Sequence, residues 1–172
     1  MSQYPVLYAG QRITAGLLSS MLPLEAYKGS DTTRTSTTTT TDDPDLVLTL
    51  EGNATYYVEI FIHYAAASTE LLKTHWTVPS GATGFRSAWG PTQTVATSDP
   101  AGDGRWGIHG FTTDVQYGTR SNANFLTMAK ETGNVVTSSS GGTLALKWAQ
   151  NTAGATGTRV AAGSYMRAKR IL

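Results

Sequence analysis

A chain of 172 residues suits a single domain, long enough to bury roughly 70% of its extended surface. It contains no cysteine, which excludes disulfides and thiolate metal sites and fits synthesis in a reducing compartment. Thirteen Lys and Arg against twelve Asp and Glu leave a net charge of +1, and charged residues make up only 15% of the chain, so global charge recruits neither nucleic acid nor a membrane surface.

The start, M-S-Q-Y-P-V-L-Y-A-G-Q-R, lacks a basic region followed by an apolar one, so no secretory signal is expected. Residues 8–22 carry the one helix pattern, with Ile13, Leu17, Leu18 and Met21 at near-helical spacing, Thr14 as cap and Pro23 as stop. So short a helix must dock its apolar side, either closing one end of its own domain or on a neighbouring subunit. Residues 1–23 are therefore a candidate docking segment, and residues 24–172 a β-domain.

An extended piece from Leu24 leads to a turn at Gly29-Ser30-Asp31, then to a Thr and Ser run over residues 32–41. Thr favours strands, but a run without an apolar face cannot set its own register, so an exposed edge strand or mobile loop is expected. Asp42-Asp43-Pro44-Asp45 reads as a turn, followed by a strand carrying Leu46, Leu48 and Leu50. Residues 54–67 form the strongest pattern. Tyr56, Val58, Ile60, Ile62 and Tyr64 alternate with Thr55, Tyr57, Glu59, Phe61 and His63, which predicts a central strand with one dry face. Glu59 and His63 also interrupt the best apolar stretch, so no membrane insertion is expected.

Leu72, Thr74, Trp76 and Val78 alternate next, and with the preceding strand they read as a long hairpin. Shorter strands are expected over residues 83–89, 92–97, 111–117 and 124–129, with a turn-dense loop over 98–104. Residues 143–150 turn Leu144, Leu146 and Trp148 inward, and the last strands are expected over 158–162 and 165–172. Short strands at regular spacing with turns between them predict an all-β, jelly-roll-like sandwich with one short N-terminal helix.

Signals for chemistry are sparse. Gly102-Asp103-Gly104-Arg105-Trp106-Gly107 spells G-x-G-x-x-G, but no helix pattern follows, so it reads as a glycine-rich loop and no nucleotide cofactor is implied. His63, His75 and His109 raise a cupin-like metal site, yet there is no H-x-H pair; His63 and His75 facing each other across the hairpin near Glu59 is the simpler reading. Asp42, Asp43 and Asp45 lack the loop that binds calcium, and no catalytic serine, zinc-protease or P-loop motif occurs. Asn53-Ala54-Thr55 is a glycosylation sequon, meaningful only in a eukaryotic secretory setting. The basic end, Arg159, Arg167, Lys169 and Arg170, places Arg167 and Lys169 on one strand face, as a solvated surface or subunit contact; no aromatics interleave to stack nucleic-acid bases.

Two stretches carry a family resemblance. V-L-Y-A-G-Q-R-I-T-A-G-L-L-S-S-M-L-P at residues 6–23, followed by D-L-V-L-T-L and T-H-W-T-V-P-S-G-A-T, is the first; G-T-L-A-L-K-W-A-Q-N-T at 142–152, leading into G-T-R-V-A-A-G-S-Y-M-R-A-K-R, is the second. By motif order the whole chain resembles small virion proteins of tailed phages infecting actinobacteria, of the minor tail or decoration type. The resemblance implies a trimeric jelly-roll module, assembled in bacterial cytoplasm and carried on the virion by other capsid or tail proteins. Because only residues 1–23 precede the β-domain, a compact knob is expected rather than a fibre with a long shaft.

The leading expectation is thus a non-enzymatic virion structural protein, a homotrimer. Ile13, Leu17, Leu18 and Met21 are its candidate docking residues, and Tyr57, Phe61, Tyr165 and Arg167 its candidate subunit interface. A receptor- or carbohydrate-binding tip for a host cell-surface glycan is the alternative, with Trp76, Trp89, Trp106 and Tyr117 as stacking rings: exposed rings favour it, buried rings the first reading. A cupin-like metalloenzyme is the third.

Overall fold

The computed structural model describes residues 5–92 and 104–172. Helix α1 spans only Ala15–Ser20; as expected, Thr14 caps it, its Oγ1 accepting the Leu17 N–H at 3.2 Å, and Pro23 follows. The strands are β1 (Leu24–Tyr27), β2 (Thr32–Arg34), β3 (Thr41–Leu50), β4 (Thr55–Ala65), β5 (Leu72–Thr77) and β6 (Thr83–Pro91). They continue with β7 (Gly104–His109), β8 (Val115–Tyr117), β9 (Thr127–Val136), β10 (Gly142–Gln150), β11 (Thr158–Val160) and β12 (Tyr165–Arg170).

The strands form two antiparallel sheets, one ordered β1-β12-β4-β9-β6-β7 with β11 and β2 attached beside β4, the other β3-β10-β5-β8. From β3 to β10 the chain crosses between β3-β10-β5-β8 and β4-β9-β6-β7 at every step except β6 to β7, which pair as neighbours in one sheet; this is the winding of a jelly roll. β1, β12, β11 and β2 widen the larger sheet.

As its alternation predicts, β4 is central, paired along one side with β9 and along the other with β12 and β11. Tyr56, Val58, Ile60, Ile62 and Tyr64 all point into the core, where they meet Leu46, Leu50, Leu72, Trp76, Leu144, Leu146 and Trp148 from the smaller sheet. The expected hairpin between β4 and β5 does not form. With both edges of β4 occupied, residues 66–71 carry the chain across to the other sheet, Leu71 adopting φ 53° on the way.

Other expectations need correction. The helix is shorter than residues 8–22 and buries no residue, so it does not close the core. The Thr run splits into β2, an irregular stretch and the first residue of β3. Asp42-Asp43-Pro44-Asp45 lies inside β3, although Asp43 Oδ1 does accept the N–H groups of Asp45 at 3.0 Å and Leu46 at 3.1 Å, the local contact that makes Asp a turn former. Here β3 bulges against β10, the pairing passing from Val47↔Ala145 to Asp42↔Lys147, so that the extra residues of β3 absorb this distortion. Of the expected strand over 111–117 only Val115–Tyr117 is one, because Phe111 instead packs its ring against Trp76 at 5.9 Å. β9 runs seven residues past the expected 129. Residues 104–107 of the glycine motif belong to strand β7; residues 102–103, the expected strand over 92–97 apart from residue 92, and the expected loop over 98–104 apart from residue 104 lie outside the described residues.

Candidate functional site

The interior polar groups form two inter-sheet pins. In the first, Glu131 of β9 points between the sheets and accepts from Arg86 Nη1 at 2.6 Å, Trp76 Nε1 at 2.5 Å, Thr74 Oγ1 at 2.5 Å and Tyr117 Oη at 2.8 Å. Arg86 Nη2 donates to the carbonyls of Thr74 at 2.7 Å and Thr113 at 2.6 Å. Arg86 and Glu131 are wholly buried, so their charges are matched only by each other and by this shell. Burial and the neighbouring Glu131 carboxylate drive the Tyr117 phenol well above its ordinary range. This arrangement joins β6 and β9 of one sheet to β5 and β8 of the other.

The second pin lies at the β1 end. Lys28 Nζ, fully buried, donates to Asp43 at 2.9 Å, Asp45 at 2.9 Å and Thr32 at 2.8 Å, while Trp148 Nε1 donates to the other Asp43 oxygen at 2.9 Å. Arg34 lies over the Trp148 ring at 4.0 Å and donates to the Thr41 and Asp42 carbonyls, at 2.9 Å each, which fastens the start of β3. The charged side chains at the heart of the two pins, Arg86 with Glu131 and Lys28 with Asp43, are wholly buried. They hold the sheets in register.

The histidines do not converge. His63 lies on β4 beside the Phe61 ring and His75 on β5 in the other sheet, bonded to Asp114 and, at 3.4 Å, to Thr40; His109 ends β7. The expected His63–His75 pairing fails with the hairpin. Among the described residues no three His, Asp or Glu side chains gather as a metal would require. Lys73 Nζ also approaches Asp114, at 3.8 Å, so the His75 group is a cross-strand surface network.

Of the candidate stacking rings, Trp76 and Tyr117 are core residues, 2% and 0% exposed, and are withdrawn from that role. Their burial follows from alternation on β5 and from the hydrogen bonds their polar atoms make to Glu131. Trp89 and Trp106 are exposed, at 41% and 72%.

The outer face of the larger sheet brings the remaining candidates together. Strand register aligns Tyr27, Tyr165, Phe61, Lys130, Trp89 and Trp106 in one row across β1, β12, β4, β9, β6 and β7. The next row holds Glu25, Arg167, Glu59, Thr132, Ser87 and Ile108, and beyond it stand Tyr57 and Phe85. Glu59 sits between Lys130 and Arg167, the latter at 2.7 Å, and the Lys130 hydrogen bond above all holds its carboxyl below the usual range. Tyr165 Oη donates to Glu25 at 2.8 Å. All four candidate interface residues, Tyr57, Phe61, Tyr165 and Arg167, therefore share the face with Trp89 and Trp106. Tyr27, Phe85, Ile108 and Met128, exposed there too, were not singled out from sequence; period-two alternation on β1, β6, β7 and β9 was the signal available.

The N-terminal segment is the other unsatisfied surface. Val6, Leu7, Tyr8, Ile13, Leu18, Met21 and Leu22 are exposed, and only Leu17 of the four candidate docking residues is half-buried. No protein-family model matches the chain, and no curated protein is significantly similar to it.

Proposed function

We propose that this chain is a non-enzymatic bacteriophage virion structural protein, a homotrimeric jelly-roll knob held on the capsid surface or the tail by its N-terminal segment. The observation that carries the reading is the division of labour in the molecule. Its buried polar groups are spent on joining the sheets, while its unsatisfied surfaces are apolar and external: the segment over residues 5–22 and the outer face of the larger sheet. A helix of six residues has too little cooperativity to persist without a partner. Ile13, Leu17, Leu18 and Met21 would supply its contact with a capsid or tail protein, after assembly in the host cytoplasm.

In the knob, Tyr57, Phe61, Tyr165 and Arg167 on β4 and β12 would form the contact between subunits. The number three comes from the resemblance to phage virion modules; closed cyclic symmetry would cover this face without leaving an open filament. The test is the solution mass, by light scattering, of the full chain and of a chain beginning at Leu24. A trimer in both supports a sandwich contact with the segment free for docking. A monomeric full chain at micromolar concentration would sink the trimer.

A second reading, recognition of a host cell-surface glycan, is favoured by one observation, the exposed cross-strand pair Trp89 and Trp106. Knob and recognition module are compatible, since the pair lies on β6 and β7, toward the opposite edge from β12. Metal analysis of dialysed protein separates both from a metalloenzyme: stoichiometric metal lost in His63→Ala or His75→Ala would contradict the non-enzymatic reading.

A further inference from the structure

The half of the outer face formed by β9, β6 and β7 differs in kind from the half formed by β1, β12 and β4. At its centre is Ser87, half-buried, with Thr132 beside it on β9 and Ile108 beside it on β7. Phe85 and Trp89 stand on either side of Ser87 along β6, and Trp106 is registered with Trp89. Four large side chains, Phe85, Trp89, Trp106 and Ile108, thus rise around a floor of two small hydroxyl residues, Ser87 half-buried and Thr132 only 6% exposed. Neither hydroxyl makes a hydrogen bond among the described residues. Strand spacing makes the platform roughly 10 by 14 Å, the footprint of a few linked sugar rings.

We propose that this platform binds a short stretch of an uncharged, hydroxyl-rich glycan, the rings stacking on sugar faces while Ser87, Thr132 and the flanking Asn134 exchange hydrogen bonds with sugar hydroxyls. The inference rests on the recognition reading above and is independent of the trimer.

Area argues against a second copy of the chain as occupant. Phe85 is 67% exposed and Ile108 74%; with the two tryptophans they present roughly 500 Å², against about 800 Å² per partner in a standard protein interface. Charge argues for an uncharged ligand. Among the described positions of the platform only Lys130 is charged, and it is already ion-paired to Glu59, with its ammonium 5.9 Å from the Trp89 ring centre. A dry protein contact would strip water from that pair at a cost. A hydroxylated chain would replace the water with hydrogen bonds of its own.

The experiment is retention of the purified full chain on insoluble or immobilised neutral polysaccharides, namely chitin, cellulose, mannan, galactan, arabinan and α-glucan. Retention on at least one is expected, weakened roughly tenfold in Trp106→Ala and in Phe85→Ala and unchanged in Val47→Ala, an exposed position on β3 of the smaller sheet. Thermal unfolding of each variant confirms the fold, which these exposed side chains should leave intact. Retention by none of the six polysaccharides overturns the proposal, as does equal loss in Val47→Ala. A change of solution mass in Trp106→Ala also overturns it, by making the platform a protein contact. A trimer that binds no glycan would remove this site and leave the virion reading standing.

Discussion

Replacing Arg86 by Ala is the sharpest probe of what holds the two sheets together. The guanidinium gives hydrogen bonds to Glu131, to the Thr74 hydroxyl at 3.1 Å and to the carbonyls of Thr74 and Thr113, all inside the protein. Its loss leaves a buried carboxylate without its cation, two carbonyl acceptors short of a donor, and a void where a wholly buried side chain had been. Trp76, Thr74 and Tyr117 still donate to Glu131 and soften the loss, so the cost is set at about 3–5 kcal/mol, the usual range for breaking a buried pair from one side. In a domain of this size that corresponds to a melting point lower by roughly 6–20 °C. Urea unfolding followed by tryptophan fluorescence measures it, since Trp76 reports directly on the pin. The double variant Arg86→Met with Glu131→Gln should recover part of the loss, because it removes the uncompensated charge while an amide oxygen remains to accept from the neighbouring donors. A cost below about 1 kcal/mol for Arg86→Ala, or strict additivity in the double variant, would refute the argument.

Lys28→Met strands Asp43 in the same way at the β1 end, where three N–H donors remain to it; a loss of about 3 kcal/mol is expected in the same urea assay. Glu59 has its carboxyl pKa lowered by Lys130 and Arg167, so its contribution is fully present above the ordinary value of 4.5 and fades as pH falls through the lower folded-state value. Glu59→Gln should therefore lower stability at neutral pH and cost progressively less as pH falls below 4.5, flattening the acid side of the stability profile. Replacing several of Thr37, Thr38, Thr39 and Thr40 by Ser should cost less than about 1 kcal/mol, since none reaches the core; several kcal/mol would show packing in this stretch. Gly84→Ala should be severely destabilising: Gly84 holds φ 138°, and an added Cβ would lie 1.9 Å from the Asn134 carbonyl oxygen.

Where alternation was clean, the fold could be read directly. β4, β5 and β10 turn their even-numbered residues inward as their sequence patterns say, because each of those strands presents mainly apolar side chains to a single core. The pattern failed where the inward positions carry charge. β9 was cut short at residue 129 because Glu131 and Gly133 interrupt its apolar sequence, yet Glu131 faces inward with Arg86 as partner and Gly133 leaves room for Trp76. Asp42-Asp43-Pro44-Asp45 reads as a turn by composition, while the burial of Asp43 is conditional on Lys28 fifteen positions earlier. Pairing order lies beyond local patterning altogether: a jelly roll sends most consecutive strands, β4 and β5 among them, to opposite sheets, so the short β4–β5 connection mimics a hairpin. On the outer face, Tyr57, Phe61, Tyr165, Trp89 and Trp106 read singly as candidates for contact or stacking. Their gathering on one face across β12, β4, β6 and β7 depends on registers that no single strand encodes.

The central claim is that this chain is a structural part of a phage particle, and the direct measurement is antibody labelling of purified particles from an infected actinobacterial culture carrying its gene, examined by electron microscopy. The account predicts label on intact particles, spread over the shell for a decoration protein or confined to the tail for a minor tail protein, and loss of incorporation when Ile13, Leu17, Leu18 and Met21 are replaced by Ser. Unlabelled particles, with the chain recovered only from the soluble lysate, would contradict it.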